Sequence, residues 1–251
     1  MNKAKIFKAS IMILMGLPNA LAAEQWSVAP FALYEQAQEK IVVDGVSTKY
    51  GLGVLGGQIT YQGDQNLSLT ARAGYGQNND QEVSFSGAQF KGKVTGTYFE
   101  ASATINLLTY SKSIVSLHGS YSKRNLKADN LIGSRNGLAL TGNSTSSISS
   151  TDVLVNLRHN MTDKVTASAS LGYGTWNMKA DATAYFSSGG IRANANKKID
   201  TTGYDPIYKL GVNYEGERAN VSANISNRSL RSKSNTEITS GEIVVNFKFL
   251  V

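Results

Sequence analysis

The chain of 251 residues contains no cysteine, 3 prolines, 24 glycines and 12 tyrosines. The absence of cysteine excludes disulfide bonds, thiolate nucleophiles and cysteine metal sites. The formal net charge of +7 falls to +4, or 22 Lys and Arg against 18 Asp and Glu, once three lysines near the N-terminus are set aside. Because no basic helix or aromatic-basic motif accompanies this charge, we do not expect nucleic-acid binding.

The N-terminal segment has the features of a secretory signal peptide. Three lysines precede an apolar run over Ile11–Leu17, and the small residues Ala20–Ala23 follow. This order of basic, apolar and small residues predicts a signal peptide over residues 1–22, cut after Ala22, and one exported domain over residues 23–251. Elsewhere no stretch approaches the ~20 apolar residues of a spanning helix. The exported domain is therefore either water-soluble or a membrane barrel built from strands.

Alternating polar and apolar residues predict a series of strands along the exported domain. In the third, Leu67, Leu69 and Ala71 share one face, and Ser68 and Thr70 share the other. The first strand has no clear facing, and the second is rich in glycine. The predicted strands are Trp26–Tyr34, Tyr50–Tyr61, Leu67–Gly76, Tyr98–Leu107, Val115–Ser122, Asp152–Arg158, Val165–Gly174, Tyr208–Glu215, Val221–Ser226 and a last one within Glu237–Val251.

The connections alternate between short turns and long polar loops. Short turns are predicted at Gln62–Asn66, Thr109–Lys112, Asn160–Asp163 and Gly216–Arg218. Long loops are predicted at Glu35–Lys49, Gln77–Lys93, Lys123–Ser149, Asn177–Gly203 and Arg228–Glu237. This alternation places all long loops on one side of an antiparallel assembly of about ten strands, an even number as in single-chain bacterial barrels.

The last stretch carries the clearest two-faced pattern. Its apolar residues, predicted to face lipid, are Ile243, Val245, Phe247, Phe249 and Val251, and they alternate with polar ones. Here the chain resembles the bacterial outer-membrane β-barrel proteins, whose closing strand alternates in this way, although it ends in Val251 where that family usually has Phe. The resemblance implies an all-β, antiparallel transmembrane barrel in the cell outer membrane, with short periplasmic turns and long extracellular loops. It also implies insertion by the barrel assembly machinery.

A secreted β-sandwich also alternates polar and apolar residues, so the pattern alone does not decide between the two folds. Strands in soluble sheets average ~5 to 6 residues, whereas several here sustain the alternation for longer. Aromatic residues also cluster near predicted strand ends, which bilayer interfaces favour. On the turn side they are Trp26, Tyr61, Tyr214, Phe247 and Phe249, and on the loop side Tyr34, Tyr50, Tyr75, Tyr121, Tyr173 and Tyr204. These features favour the barrel.

Charged residues on the polar faces are predicted to point into the lumen. They are Arg72, Glu100, His118, Asp152, Arg158, Lys209, Glu215, Glu242 and Lys248. Charges in a confined lumen must be paired or hydrated, because an unpaired buried charge is costly. Either a plugged, salt-bridged interior or a narrow hydrated channel satisfies this requirement. About ten strands favours the plugged interior, while small residues such as Gly172 and Gly174 leave room for water or a neighbouring arginine.

Catalysis finds little support in the sequence. The two histidines, His118 in mid-strand and His159 beside a turn, do not fall at the outer rim, where the omptin proteases have their sites. The chain resembles those proteases only in strand number and has no matching acidic pair with histidine. No acidic loop has Ca²⁺-ligand spacing and no metal cluster is apparent. We therefore expect neither an enzyme nor a cofactor or metal site.

Basic residues in the predicted outer loops are candidates for surface interaction. They are Lys123, Arg124, Lys127, Arg135, Lys179, Arg192, Lys197 and Lys198. Such residues can pair with lipopolysaccharide phosphates, or with an acidic extracellular ligand whose identity the sequence does not give. We therefore expect a non-enzymatic outer-membrane protein with a structural or surface-interaction role. A narrow porin-like channel is the second candidate, and an enzyme acting on lipid or peptide is the third.

Overall fold

The computed structural model describes residues 26–41, 46–63, 66–85, 88–188, 191–217, 219–230 and 236–247. The predicted signal peptide and the C-terminal residues Lys248, Phe249 and Val251 lie outside the described residues. No helix in the described part of the chain is long and apolar enough to cross a bilayer.

The described residues form ten antiparallel strands. They are β1 Trp26–Ile41, β2 Val46–Gln62, β3 Leu67–Phe85, β4 Ala88–Tyr110, β5 Ser113–Arg135, β6 Leu138–Asn160, β7 Val165–Ser188, β8 Ile191–Glu215, β9 Ala219–Leu230 and β10 Thr236–Phe247. Each strand pairs with its neighbours in sequence, and β1 pairs with β10, from Phe31 opposite Asn246 to Lys40 opposite Glu237. The ring is therefore closed, and the predicted all-β antiparallel barrel is confirmed.

The two faces of the lower barrel, nearest the short turns, differ in polarity. Large apolar side chains such as Leu171, Leu210 and Ile225 point outward and are 56 to 67% exposed to solvent. The alternate positions point inward and carry polar groups, for example Arg72 opposite Glu100. On β1, where the sequence left the facing open, Phe31 and Leu33 point inward and are buried. An apolar exterior around a polar interior is the arrangement that a bilayer requires.

Aromatic side chains mark both ends of the apolar exterior. Near the turns, Trp26 packs against Tyr61 in a tilted arrangement, with ring centroids 4.8 Å apart. At the other end, exposed tyrosines form an outer belt made of Tyr34, Tyr75, Tyr121, Tyr173 and Tyr204. The side chains of Tyr50 and Phe247 lie outside the described residues. From Leu67 to Tyr75 a strand tilted by about 40° climbs about 20 Å, which is near the height of the apolar band of such barrels.

Above the outer belt, the structure differs from the sequence prediction. Most residues of the predicted loops Gln77–Lys93, Lys123–Ser149 and Asn177–Gly203 continue as paired strands, and β5 and β6 join at a tight turn. Asn136 and Gly137 form that turn with positive φ angles of 50° and 79°. These residues do not face lipid, so a simple alternation is not imposed on them, and hydrophobicity alone misses their strands. The Asn-Gly pair is nevertheless a strong hairpin signal.

The polarity of the two faces reverses in this upper sheet. Its interior holds buried apolar residues such as Phe90, Val94 and Leu131. Its exterior carries Thr, Ser, Asn, Lys and Asp, including an ion pair between Lys127 and Asp129 at 2.8 Å. Water surrounds this part of the molecule, so the sheet builds an apolar core of its own.

Candidate functional site

The candidate site is the interior of the barrel, which has a polar lower part and an apolar upper part. In the lower part, Arg72 Nη1 lies 3.7 Å from Glu100 Oε1, and both side chains are about four-fifths buried. Arg72 Nε donates to Gln58 Oε1 at 2.6 Å, and the Tyr98 hydroxyl donates to Glu100 Oε2. The three strands β2, β3 and β4 thus hold one charge-compensated network across their inner faces.

A second group of inward polar residues lies on β4, β5 and β6. Thr104 Oγ1 and His118 Nδ1 are 2.9 Å apart, and Arg158 Nη2 donates to Asn106 Oδ1 at 2.8 Å. His118 therefore has a hydroxyl partner across the β4–β5 pair. This contact orients the imidazole.

A buried pair of aspartates lies where the polar part meets the apolar part. Asp152 on β6 and Asp205 on β8 both stand opposite Gly174 on β7. Asp205 is fully buried and accepts a 2.7 Å hydrogen bond from Trp176 Nε1. Asp205 and Trp176 are not among the residues predicted from the sequence, because their partnership depends on the register between β7 and β8.

The inward glycines do not leave open space for water. A Cβ added at Gly174 would collide with Asp152 Oδ1 and would lie 2.6 Å from Ile207 Cδ1. A Cβ at Gly172 would collide with the Val153 carbonyl oxygen. The expectation that Gly172 and Gly174 make room for water or an arginine is therefore wrong, because neighbouring strands already fill that space.

An apolar cluster, which we call the plug, fills the interior around and above the level of the outer belt. It contains Phe31, Leu33, Leu52, Val54, Ala88, Phe90, Val94, Tyr98, Leu126, Ala128, Leu131 and Val244, all of them buried. Phe31 on β1 and Tyr98 on β4 have ring centroids 6.3 Å apart, although two strands separate them in the ring. On the opposite wall, Leu154 and Ile207 are also buried inner residues.

The remaining residues predicted to line the lumen are distributed unevenly. Lys209 is half-buried on the inner face, and Glu215 is exposed near the turn side. Glu242 stands opposite Asn224 in the β9–β10 pair, but its side chain lies outside the described residues. Lys248 lies beyond them as well. The structure brings Arg72 and Glu100 together and leaves Arg158 in a separate network near the turns.

The predicted basic residues of the outer surface do not form one patch. Arg124 points inward, with its guanidinium 5.4 Å from the centre of the Tyr98 ring. Lys198 Nζ lies 3.6 Å from Asp181 Oδ2, and Lys179 Nζ lies 3.4 Å from Asp200 Oδ2. On the outside, Lys123 and Lys127 are exposed, and Arg135 is exposed at the β5–β6 turn. Lys197 is half-buried on the same face of β8 as the inward Ile199, and the side chain of Arg192 lies outside the described residues. Among the described residues, no group of three or more His, Cys, Asp or Glu side chains is placed to hold a metal ion.

Comparisons with known proteins identify the architecture. No protein-family model matches the chain, and no curated protein matches its sequence. Among solved structures, the chain is similar to the outer membrane protease OmpT from Escherichia coli, with a TM-score of 0.54, 9% identity, and coverage of 89% of this chain and 94% of that chain. At 9% identity, this likeness shows the fold alone.

Other outer-membrane barrels also align over most of their length. The translocator domain of the autotransporter NalP from Neisseria meningitidis gives a TM-score of 0.49 at 16% identity, covering 98% of this chain and 97% of that chain. The attachment invasion locus protein Ail of Yersinia pestis gives a TM-score of 0.37 at 11% identity, covering 90% of this chain and 99% of that chain. The structural neighbours of this chain are thus outer-membrane β-barrels, and no specific family is matched.

Proposed function

We propose that the chain is a non-enzymatic integral protein of the outer membrane that is closed to solutes and acts in a structural or surface-interaction role. Under this proposal, the signal peptide directs export and the barrel assembly machinery inserts the strands. The observation that carries the closed state is the plug, whose residues reach at most 6% exposure.

The plug opposes conduction because an ion that crosses it must shed its hydration shell. Phe31, Leu52 and Val54 present only carbon to the interior and are almost completely buried. The transfer of a polar group into such surroundings without a hydrogen-bond partner costs several kcal/mol of free energy, and the transfer of an ion costs far more. The Arg72–Glu100 pair below the plug offers little compensation, because its charges already satisfy each other.

The upper sheet supports the surface-interaction role. Strands β3 to β8 continue beyond the outer belt, so the exterior of the sheet lies in the headgroup region and the medium above it. Lys123 and Arg135 are exposed there, and within the described part of the chain neither has a carboxylate at ion-pair distance. Such cations can contact lipopolysaccharide phosphates, which we propose as a partner of this surface.

A narrow channel is the second candidate, and the lower interior favours it. Inward residues near the turns are small and only half-buried, for example Ser102, Ser120, Ser168 and Ser170. Water that reaches them from the turn side would fill a polar vestibule. The two candidates therefore differ in one respect, namely whether the plug opens.

Conductance in planar bilayers tests the closed state. The purified wild-type protein should give no steady single-channel steps. The triple variant Phe31→Ala, Leu52→Ala, Leu126→Ala removes buried side chains of the plug from the three strands β1, β2 and β5. This variant should give single-channel steps. A matched control removes lipid-facing side chains instead, at Leu171, Leu210 and Ile225, and should stay silent.

Heat-modifiable migration in detergent gels must confirm that each of these variants is folded. Steady steps from the wild-type protein would contradict the closed state and favour the channel. If the folded triple variant stays silent, then the plug is not what closes the barrel.

A further inference from the structure

The outer face of the sheet has a concavity of about 940 Å³ across β6, β7 and β8, directly above the outer belt. Its outward-facing lining is made of hydroxyl, amide and phenol groups, together with the carboxylate of Asp200, which is paired with Lys179. The side chains that carry the argument are Ser149, Thr151, Thr175, Asn177, Thr202 and Tyr204.

The strand register arranges these groups in two rows that run across the strands. The upper row runs from Lys123 on β5 through Ser149 and Asn177 to Thr202 on β8. The lower row runs from Tyr121 through Thr151 and Thr175 to Tyr204 across the same strands. Adjacent strands are separated by ~4.7 to 4.9 Å. Each row therefore presents polar side chains at intervals similar to the size of one sugar ring.

A second concavity of about 750 Å³ continues the first one upward, and Asp200 lines both. Hydrogen bonds fix its polar side chains, since Ser147 Oγ donates to Asn125 Oδ1 at 2.9 Å and Asn125 Nδ2 donates to Thr97 Oγ1 at 3.2 Å. The two concavities form one groove, which begins at the outer belt and is ordered before any ligand arrives.

The chemistry of the groove fits a phosphorylated saccharide. Hydroxyl and amide side chains can donate to sugar hydroxyls and accept from them. Tyr204 is 72% exposed and offers an aromatic face at the base of the groove. Lys123 stands at the end of the upper row, and no described Asp or Glu lies at ion-pair distance from it. A phosphate next to the sugar would supply the missing anion.

The place of the groove points to a membrane glycolipid as the source of that saccharide. Tyr121, Tyr173 and Tyr204 lie at the level where lipid chains end and headgroups begin. A glycolipid of the outer leaflet therefore brings its sugars and phosphates to the height of the groove, with its acyl chains against the apolar band below. The headgroup and the acyl chains of the glycolipid then both contribute to the binding free energy.

We propose that this groove binds the phosphorylated saccharide headgroup of an outer-leaflet glycolipid, with Lys123 contacting the phosphate. This rests on the proposed membrane location and deepens the surface-interaction role. It assigns the contact to the hydroxyl rows and Lys123, and not to the ion-paired lysines Lys179 and Lys198, whose charges are already compensated.

The test measures the dissociation constant of fluorescently labelled lipid A carrying its inner-core sugars, bound to the full chain in detergent micelles. Lys123→Ser should weaken binding about five- to tenfold, since it removes a charge-assisted contact at a partly solvated site. Arg135→Ser is the matched control, because it also removes an exposed cation from β5, but at the β5–β6 turn above the groove. The control should change the affinity less than twofold.

Two further arms identify the chemistry and the source. The double variant Thr175→Val, Thr202→Val keeps the side-chain shapes but removes two hydroxyl groups, so it should weaken binding. With dephosphorylated lipid this loss of affinity should persist. The loss caused by Lys123→Ser should vanish with the same lipid. The soluble inner-core oligosaccharide should bind at least tenfold more weakly than the glycolipid. Equal losses for Lys123→Ser and Arg135→Ser would overturn the site, and equal binding of the soluble oligosaccharide would overturn the membrane source. Neither result depends on conductance, which tests the closed state separately.

Discussion

The ion pair between Arg72 and Glu100 should be a measurable source of stability inside the barrel. The two charged groups are 3.7 Å apart, and their side chains are 19% and 20% exposed. Coulomb's law with an effective dielectric constant of about 20 gives roughly 4 to 5 kcal/mol at this distance. Residual hydration of both groups lowers the net value, so we expect a coupling free energy of about 2 kcal/mol.

A double-mutant cycle isolates this coupling from the other contacts of each residue. Arg72→Gln and Glu100→Gln should each lower the free energy of unfolding by about 2 to 3 kcal/mol, because each leaves a largely buried charge without its partner. The double variant should then be less destabilised than the sum of the two. Reversible urea unfolding in lipid vesicles, followed by tryptophan fluorescence, supplies the free energies, provided that the slope with urea stays constant.

The pair formed by Lys91 and Glu82 in the upper sheet is the matched comparison. Its two charged atoms are closer, at 2.8 Å, but its side chains are 75% and 53% exposed. Exposed pairs contribute about 0 to 1 kcal/mol, so the shorter contact should give the weaker coupling. A coupling below about 0.5 kcal/mol for Arg72–Glu100, or one smaller than that of the exposed pair, would refute the view that confinement strengthens the interior pair.

Three further predictions concern the facing and packing of the strands. Ile225→Lys should destabilise the barrel by about 2 to 4 kcal/mol in vesicles, and Asn224→Lys on the inner face by less, which folding yields and urea titration can compare. Gly174→Leu should block folding or shift the barrel to a non-heat-modifiable form, because the added side chain meets Asp152 and Ile207. Gly53→Ala should fold normally, because the nearest atom to the added Cβ is 3.8 Å away. Asp205→Ala should cost about 1 to 3 kcal/mol by removing the acceptor of Trp176 Nε1, and Asp205→Asn should recover part of this loss in the same titration.

The lipid-facing part of each strand is readable from the sequence because the bilayer imposes a simple rule. Every second residue must be apolar where a strand meets lipid, and β3 and β7 follow this rule from Leu67 and Val165 to their belt tyrosines. Above the belt, the exterior meets water and the rule no longer holds. The sequence pattern therefore predicts a loop where strands extend on either side of Asn136 and Gly137, although the Asn-Gly pair itself indicates a hairpin turn.

The partners within the interior could not be read in the same way. Alternation indicates that Arg72 and Glu100 point inward, but a long hairpin separates them and does not fix their register. The same holds for Asp205 and Trp176, which meet only because Trp176 stands opposite Gly203. A Cβ at Gly203 would lie 2.5 Å from the Trp176 ring, so the ring lies against the glycine backbone. A glycine that faces a large side chain on the neighbouring strand is a property of the strand pair, so the sequence of one strand does not predict it.

The position of the plug follows from the change of solvent at the outer belt. Below the belt, lipid covers the exterior, so the interior can be polar and the strands remain stable. Above it, water reaches the exterior of β3 to β8, and the sheet gains stability only by burying apolar groups such as Phe90, Leu126 and Leu131 inside. Closure of the barrel is then a consequence of how the upper sheet folds. Substitutions that open the plug should therefore also loosen the upper strands, and a gate that opens without disturbing them is not expected from this architecture.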